Sequence, residues 1–248
     1  MLKTYQIIGY SGGVPTQERG VSSVMVSTSN FDIMIDCGEG SYLLWKKAGY
    51  KWKNLKYIFI THMHPDHTAG LVPMLFYRKL FDIETTLTLI GPPQLEAFIT
   101  DSFQHTGINN VKNIEWIDIS INPEFNLPNS IQIKTMEMEH KIPCWGYRIS
   151  DTQKTMVFIT DTLQSSNAIK LAGNSDVLIH EATFDHEMSE KAAHHFHTTN
   201  IQAMEIADEA QVKRLILTHF SPRLSDGDIN RWTWNGKPCV IFDERQRI

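Results

Sequence analysis

Residues 55–70 read LKYIFITHMHPDHTAG, and this stretch constrains the chain more than any other. The apolar run LKYIFI is short and bounded by polar residues, which is the pattern of a buried strand. At its end the chain sets down His62, His64, Asp66 and His67 within six positions. Imidazole is the side chain that titrates nearest neutrality, so such a cluster repels itself if it charges. A divalent metal resolves the conflict, because zinc, manganese and iron bind neutral imidazoles and carboxylates. His62 and His64 alternate along an extended segment and so share a face. Pro65 forces a bend, after which Asp66 and His67 can point to a second position. Two residues in each direction suggest two neighbouring metals. Binuclear sites hold them ~3.5–4 Å apart and need a carboxylate between them.

The remaining ligands must come from other strand ends. His140 closes KTMEMEH, Asp161 closes VFITD and His219 closes LILTH. A lone histidine is more often a surface or hydrogen-bonded core residue than a ligand. The neighbouring cluster and the strand-end position are what recruit these three. His105 and His186 have no such context and are expected at the surface.

The rest of the chain supplies a scaffold for strand ends. TYQIIGY, SSVMVST, FDIMIDCG, TTLTLIGP, IEWIDIS, SIQIKTMEMEH, CWGYRIS, KTMVFITD, SDVLIHE, KRLILTHF and PCVIFDE read as strands. SYLLWKKAGY, TAGLVPMLFYRKLF, QLEAFITDSF and TNIQAMEIADEAQV read as helices. Pro73 sits near the start of the second, where it is tolerated. The strands fall in two sets, each flanked by helices. IMIDCG followed by IFITHMH is echoed by VFITDT followed by LILTHF. Taken as a repeat, this implies two β-rich halves packed face to face, with Asp161, His219 and the first cluster at one edge. No linker or low-complexity segment divides the chain, so one domain over residues 1–248 is expected.

Composition removes several function classes. Net charge is −5, whereas a dedicated nucleic-acid binder usually carries the opposite sign. An anionic substrate must then be held by a local positive site. Cys37, Cys144 and Cys239 are odd in number and far apart, which argues against a disulfide framework and for a reducing compartment. MLKTYQIIGY has no leader pattern, and no apolar run reaches membrane-spanning length.

A second informative stretch is HEATFDHEMSEKAAHHFHTTN, residues 180–200. Glu181 follows a buried strand and so belongs to the same edge. His194, His195 and His197 crowd the approach to the next helix. A histidine beside a binuclear site can donate to a phosphate oxygen or a leaving alkoxide. A glutamate behind it would fix its tautomer. On spacing alone, solvated polar residues before a helix capped by Thr199 or Asn200 account for the stretch equally well.

These residues together resemble the metallo-β-lactamase superfamily, and within it the RNase Z-like branch. GYSGGVPTQERGVSS resembles the first turn of that branch and IDCGEG its acidic turn. THMHPDHTAGL is similar to the metal motif. HKIPCWGYRI, ITDT and LTHFSPR are similar to the segments carrying later ligands. HEATF with HTT is the feature most particular to the branch. The resemblance runs from Gly9 to about Arg223. It implies an α/β fold of the αββα kind, two mixed β-sheets flanked by helices, with metals at the sandwich edge. It implies His62, His64, His140 and Asp161 on one metal, and Asp66, His67, Asp161 and His219 on the other. Asp36 would support the ligands from behind, and Glu181 with His197 would handle phosphate. Asp66 would orient or deprotonate the nucleophile. Two divalent ions, zinc or manganese, are the implied cofactors, and a homodimer the implied assembly. Trp232, Trp234, Phe76 and Tyr77 could supply its contact surface or equally belong to the core.

Three departures from the branch pattern matter to different degrees. Pro65 and Phe196 stand where glycine is common. More consequential is GYRISDTQKTMVFITD, which runs straight from strand to strand as a tight hairpin. Enzymes that trim tRNA precursors usually carry a long arm there to grip the tRNA elbow. An arm-less chain is similar instead to phosphodiesterases that open cyclic nucleotides, among them the phage anti-Pycsar enzymes. The first expectation is therefore hydrolysis of 3′,5′-cyclic mononucleotides to linear monophosphates in the cytoplasm, that of the host if the chain is phage-encoded. On that reading no stable nucleic-acid binding is expected. The alternative is an RNase Z-type endonuclease that removes tRNA 3′ trailers. A metal-holding protein without chemistry is a third reading, disfavoured because no ligand is missing.

Overall fold

The structure, a computed structural model, describes residues 1–109, 111–240 and 245–248. The first half runs β1 (Leu2–Gly9), β2 (Ser23–Thr28), β3 (Asp32–Ile35), α1 (Ser41–Lys47), β4 (Leu55–Phe59), α2 (Pro65–Thr68), α3 (Leu71–Leu80), β5 (Leu87–Gly91), α4 (Gln94–Thr106) and β6 (Ile114–Asp118). The second runs β7 (Glu124–Leu127), β8 (Ile131–Met138), β9 (Cys144–Ser150), β10 (Thr155–Ile159), α5 (Ser166–Ala172), β11 (Val177–Glu181), α6 (Ser189–His195), α7 (Asn200–Glu209), β12 (Leu215–Thr218) and α8 (Asp226–Ile229). A small hairpin pairs Thr233–Trp234 with Lys237–Pro238, and Gln246–Arg247 returns to pair with β1.

Two mixed sheets result. The first has the order Gln246–Arg247, β1, β2, β3, β4, β5, β6, antiparallel as far as β3 and parallel from β3 to β6. The second has the order β12, β11, β10, β9, β8, β7, with β10 to β12 parallel and the rest antiparallel. Period-two alternation explains how the first sheet is buried on both faces. Val24, Val26, Ile33, Ile35, Phe59 and Ile90 face the second sheet and pack with Ile133, Tyr147, Ile149 and Ile159. Met25, Met34, Ile58, Leu87 and Leu89 point the other way, under Trp45 of α1, Met74 and Leu75 of α3, and Leu95 and Ile99 of α4. Helices α5 and α7 cover the second sheet through Leu171, Ala203 and Ile206. This is the expected αββα sandwich.

The sheets are also joined by hydrogen bonds at the edge where β4 ends. Trp145 of β9 donates its backbone N–H to the Thr61 carbonyl at 3.0 Å. The buried Tyr147 hydroxyl donates to the Ile60 carbonyl at 2.6 Å. The chain leading into the histidine cluster is thus tied to the opposite sheet immediately before it turns.

Three local differences from the sequence expectation have physical causes. The helix after the cluster is two helices, α2 and α3. Gly70 gives its N–H to the Cys37 carbonyl at 2.9 Å, outside the helix, and Cys37 in turn donates to the His67 carbonyl at 2.9 Å. A Cβ on Gly70 would lie 2.2 Å from the Gly38 carbonyl oxygen, so this backbone-to-backbone contact requires glycine. β7 and α5 are short elements whose sequences, EFNL and SNAIKLA, are too brief for periodicity to reveal. Trp232 and Trp234 pack against the core, the second of the two roles open to them. Most of the expected last strand, residues 241–244, lies outside the described residues. His105 and His186 are exposed, as expected.

Tyr147→Phe removes one sheet-to-sheet hydrogen bond and leaves a buried carbonyl short of its donor. It is expected to cost about 1–2 kcal/mol in chemical denaturation. A loss within error of zero would show that this link does not support the edge.

Candidate metal centre

Five strand ends meet at one edge of the sandwich. Asp36 follows β3, His62 lies just beyond β4, Asp161 follows β10, Glu181 closes β11 and His219 follows β12. Asp36, Asp161 and His219 all adopt left-handed backbone, with φ of 58°, 45° and 59°. Such conformations are costly for residues with a Cβ and cluster where the surroundings over-determine them. Here each turns the chain sharply as the strand ends and directs a side chain along the edge.

His62, His64, His140 and Asp161 bring one donor atom each within 4.8 Å of one another, as do Asp66, His67 and His219. Asp161 lies between the sets. Its Oδ2 is 3.6 Å from His62 Nε2 and 3.7 Å from His140 Nε2. Its Oδ1 is 3.3 Å from His67 Nε2 and 3.2 Å from His219 Nε2. One carboxylate oxygen faces each set, which is the disposition a bridging ligand requires.

Hydrogen bonds behind the rings fix which nitrogen presents a lone pair. His67 Nδ1 is 2.7 Å from Asp36 Oδ2 and must donate to it. Thr61 Oγ1 donates to Asp36 and so accepts from His62 Nδ1 at 3.0 Å. His140 Nδ1 donates to the Phe196 carbonyl at 3.0 Å. Thr183 Oγ1 donates to Glu181 Oε2 at 2.5 Å and accepts from His219 Nδ1 at 2.9 Å. Nε2 of all four rings is therefore turned inward. His62 Nε2 and His140 Nε2 lie 2.9 and 3.2 Å from His64 Nδ1. A single N–H on His64 Nδ1 can satisfy only one of these two nitrogens, and with the neighbouring carboxylates the donor set fits two divalent metals.

Charge in the cluster follows from burial and from the carboxylates. Burial pushes His62, His64 and His140 below the ordinary imidazole value, which leaves their lone pairs free at neutral pH. Burial acts on His67 in the same direction, but Asp66, Asp161 and Asp36 outweigh it and hold His67 well above the usual value. Metal entering that position must displace a proton. Asp66 and Asp161 stay ionised despite burial because His67 and His219 face them both. Asp66 is further held by the Gly13 backbone N–H at 2.8 Å from its Oδ2.

Glu181 and His197 form the second part of the site. His197 Nδ1 lies 3.0 Å from Glu181 Oε1, and its Nε2 is 4.0 Å from Asp161 Oδ2. Burial opposes protonation of His197, but the Glu181 carboxylate wins and raises it to about 9. In the metal-free chain His197 is therefore charged at neutral pH, with its ring lining the cavity beside both donor sets. Glu181 is fully buried, and the Thr162 backbone N–H donates to it at 2.7 Å. Thr199 caps α7 with a capping box, which fixes the segment carrying His197. The whole arrangement opens into a cavity of about 580 Å³, within the range of small-ligand sites.

Every site residue expected from sequence is at this edge: Asp36, His62, His64, Asp66, His67, His140, Asp161, Glu181, His197 and His219. Sequence reasoning missed the supporting atoms. Thr61 and Thr183 were visible inside the THMH and HEAT stretches. The Phe196 carbonyl and the Gly13 N–H belong to distant loops and carry no local signal.

Residues 32–220 match the family model described as Beta-lactamase superfamily domain. Ribonuclease BN of Proteus mirabilis (strain HI4320) is 30% identical, over 88% of this chain and 89% of its own. That alignment runs over 271 positions, more than this chain's 248 residues, so the relative has segments without counterparts here. The short form of human tRNase Z superposes with a TM-score of 0.79 at 27% identity, covering 89% of this chain and 93% of that one. The metallo-beta-lactamase fold protein YhfI of Bacillus subtilis gives 0.85 at 20% identity over the full length of both, which shows a shared fold.

Two outcomes test the geometry. Asp36→Asn should weaken metal binding about 10–100-fold in chelator competition, because an amide cannot orient His67 as the carboxylate does; unchanged affinity would contradict the assigned tautomer. Glu181→Gln should lower the His197 titration midpoint by about one unit or more in the metal-free protein. The sign follows from the carboxylate favouring the charged ring. An NMR titration that leaves the midpoint near 9 would show that Glu181 is not its cause.

Proposed function

The chain belongs to the β-lactamase superfamily, in the RNase Z-like branch of its metal-dependent members, and on that premise we propose a binuclear-metal phosphodiesterase that cleaves RNA at a 3′ extension. Its relatives are named as ribonucleases, and this favours the tRNA-processing alternative over the cyclic-nucleotide expectation. The observation that carries the reading is the Glu181–His197 pair, aimed into the same cavity as both donor sets. A purely metal-holding protein has no use for a buried carboxylate spent on one imidazolium.

His62, His64, His140 and Asp161 would hold one metal, and Asp66, His67, Asp161 and His219 the other. Zinc suits this imidazole-rich donor set, and manganese can occupy it. When bound, the pair would lower the pKa of water and neutralise charge developing on the phosphoryl group. The protein's own contributions are positional. Asp66, pinned by Gly13 N–H and facing His219, accepts a hydrogen bond from the attacking water and orients it. His197 donates through Nε2–H to a phosphoryl oxygen or to the leaving oxygen. Glu181 keeps that proton in place.

One domain over residues 1–248, a homodimer and a cytoplasmic location belong to the same proposal. No helix among the described residues is long and apolar enough to cross a membrane. The three cysteines are free and buried, as suits a reducing compartment.

A specific feature favours a second reading. β9 and β10 are joined by a turn closed by the Asp151 N–H on the Lys154 carbonyl at 2.9 Å, with Ser150 paired to Thr155. This is the place where an RNA-gripping arm would emerge. Small cyclic phosphodiesters need no such grip.

The deciding measurement is kcat/KM, with zinc or manganese loaded, for an RNA carrying a 3′ trailer against a panel of 3′,5′-cyclic nucleotides. Trailer removal at least about tenfold more efficient is expected. Rapid opening of cyclic nucleotides with an inert trailer RNA would transfer the function to the second reading.

A further inference from the structure

The cavity continues past His140 to a rim that the chemistry above does not use. Lys141, next in sequence to His140, lines it together with His195, the last residue of α6. Both side chains are exposed, and among the described residues neither has a hydrogen-bond or ion-pair partner. They are nonetheless well placed. Lys141 is held between His140, whose Nδ1 is bound by the Phe196 carbonyl, and Pro143, which restricts the backbone of Ile142. Cys144 follows, fully buried at the start of β9. The His195 ring lies nearly parallel to Phe184, with centroids 6.1 Å apart and planes at 18°. Phe184 is 5% exposed and its carbonyl accepts the Asn200 N–H at 3.0 Å, so this support is fixed by the fold. Lys191 brings a second ammonium to 6.0 Å from the Phe184 ring.

The charge distribution is local and one-sided. The protein is net negative, yet Asp66 and Asp161, which face the donor sets, are the only acidic side chains lining the cavity among the described residues. A cation beyond His140 has no carboxylate to answer. A cyclic mononucleotide cannot answer it either, because its single phosphate would sit on the metals. An oligonucleotide can, because its backbone presents another phosphate one nucleotide away.

We infer that Lys141, flanked by the Phe184-supported ring of His195, is a specificity-determining subsite for a phosphate adjoining the scissile one. The substrate class this selects is an oligonucleotide strand with at least two phosphates. The inference rests on the phosphodiesterase reading and narrows it. Lys141 supplies a charge-assisted contact to the flanking phosphate, and the His195 face offers a surface on which the intervening base stacks. This pairing of one cation with one aromatic surface is how single strands are held without reading their sequence. It would supply, beside the metals, part of the orienting contact that longer relatives can obtain from segments absent here.

The test uses the full-length, metal-loaded protein and four substrates: bis-p-nitrophenyl phosphate, UpU, pUpU and UpUp. The unmodified protein should prefer one of the two end-phosphorylated dinucleotides over UpU, and the preference should shrink with added salt. Lys141→Gln should lower kcat/KM on that preferred substrate about tenfold, chiefly through KM, with a much smaller effect on bis-p-nitrophenyl phosphate. Lys141→Arg should restore most of the preference. An equal fall on every substrate would mean that Lys141 only supports His140, and no fall at all would mean that it contacts nothing; either overturns the subsite. If the unmodified protein cleaves bis-p-nitrophenyl phosphate but shows no preference for an added phosphate, the subsite is wrong and the phosphodiesterase reading stands. If it cleaves none of the four with either metal, both fall together.

Discussion

The structure depends on a group of buried and half-buried imidazoles and carboxylates crowded at one strand-end edge. His62, His64, His140, His67 and His219 direct nitrogens at one small volume, with Asp66 and Asp161 between them. The rings of His62, His67, His140 and His219 are each held from behind by a buried carboxylate, a threonine hydroxyl already donating elsewhere, or a backbone carbonyl. Stability is spent on this arrangement, since buried polar groups and left-handed strand ends both work against folding. A fold tolerates that cost only where two rigid sheets over-determine the edge. The alternation that buries the first sheet on both faces, and the β9 contacts with Thr61 and Ile60, provide the rigidity.

Glu181 links the two halves of the chemistry. It accepts a hydrogen bond from Thr183, which orients His219, and it bonds directly to His197. One buried carboxylate thus sets the tautomer of the His219 ring in one donor set and favours the charged form of the His197 ring beside it. Phe196 does something similar from the other side. Its own backbone is left-handed, at φ 61°, and its carbonyl orients His140 one residue before His197. The loop after α6 therefore supports both His140 of one donor set and His197 of the Glu181 pair. A change there should not be read as affecting one alone.

Much of this was legible in the sequence, because strand-end residues announce themselves. An apolar run followed at once by histidine or aspartate is a local pattern, and it located His62, Asp161 and His219 together with the edge they share. The two-sheet sandwich followed from the same runs. What stayed hidden was tertiary. Gly13 reaches Asp66 across 53 positions, and Phe196 reaches His140 across 56. No spacing rule connects such pairs. The break between α2 and α3 was hidden for the same reason, since it is set by contact with the turn at Cys37 and Gly38. Thr61 and Thr183 lay in plain view, but their value depends on hydroxyl direction, which only their partners determine.

The short β9–β10 turn need not decide the substrate by itself. Without remote contacts a large RNA gains less help in orienting its scissile bond, so an arm-less enzyme loses rate on large substrates first. That loss can be recovered close to the metals. A cation one nucleotide away would act in a cavity whose only carboxylates among the described residues face the donor sets, and there it would be worth more than the same cation on an open surface. Net negative charge then becomes useful, because it weakens non-specific attachment to nucleic acid and leaves attraction concentrated at the cavity mouth. A chain built this way would discriminate by the few nucleotides nearest the cut.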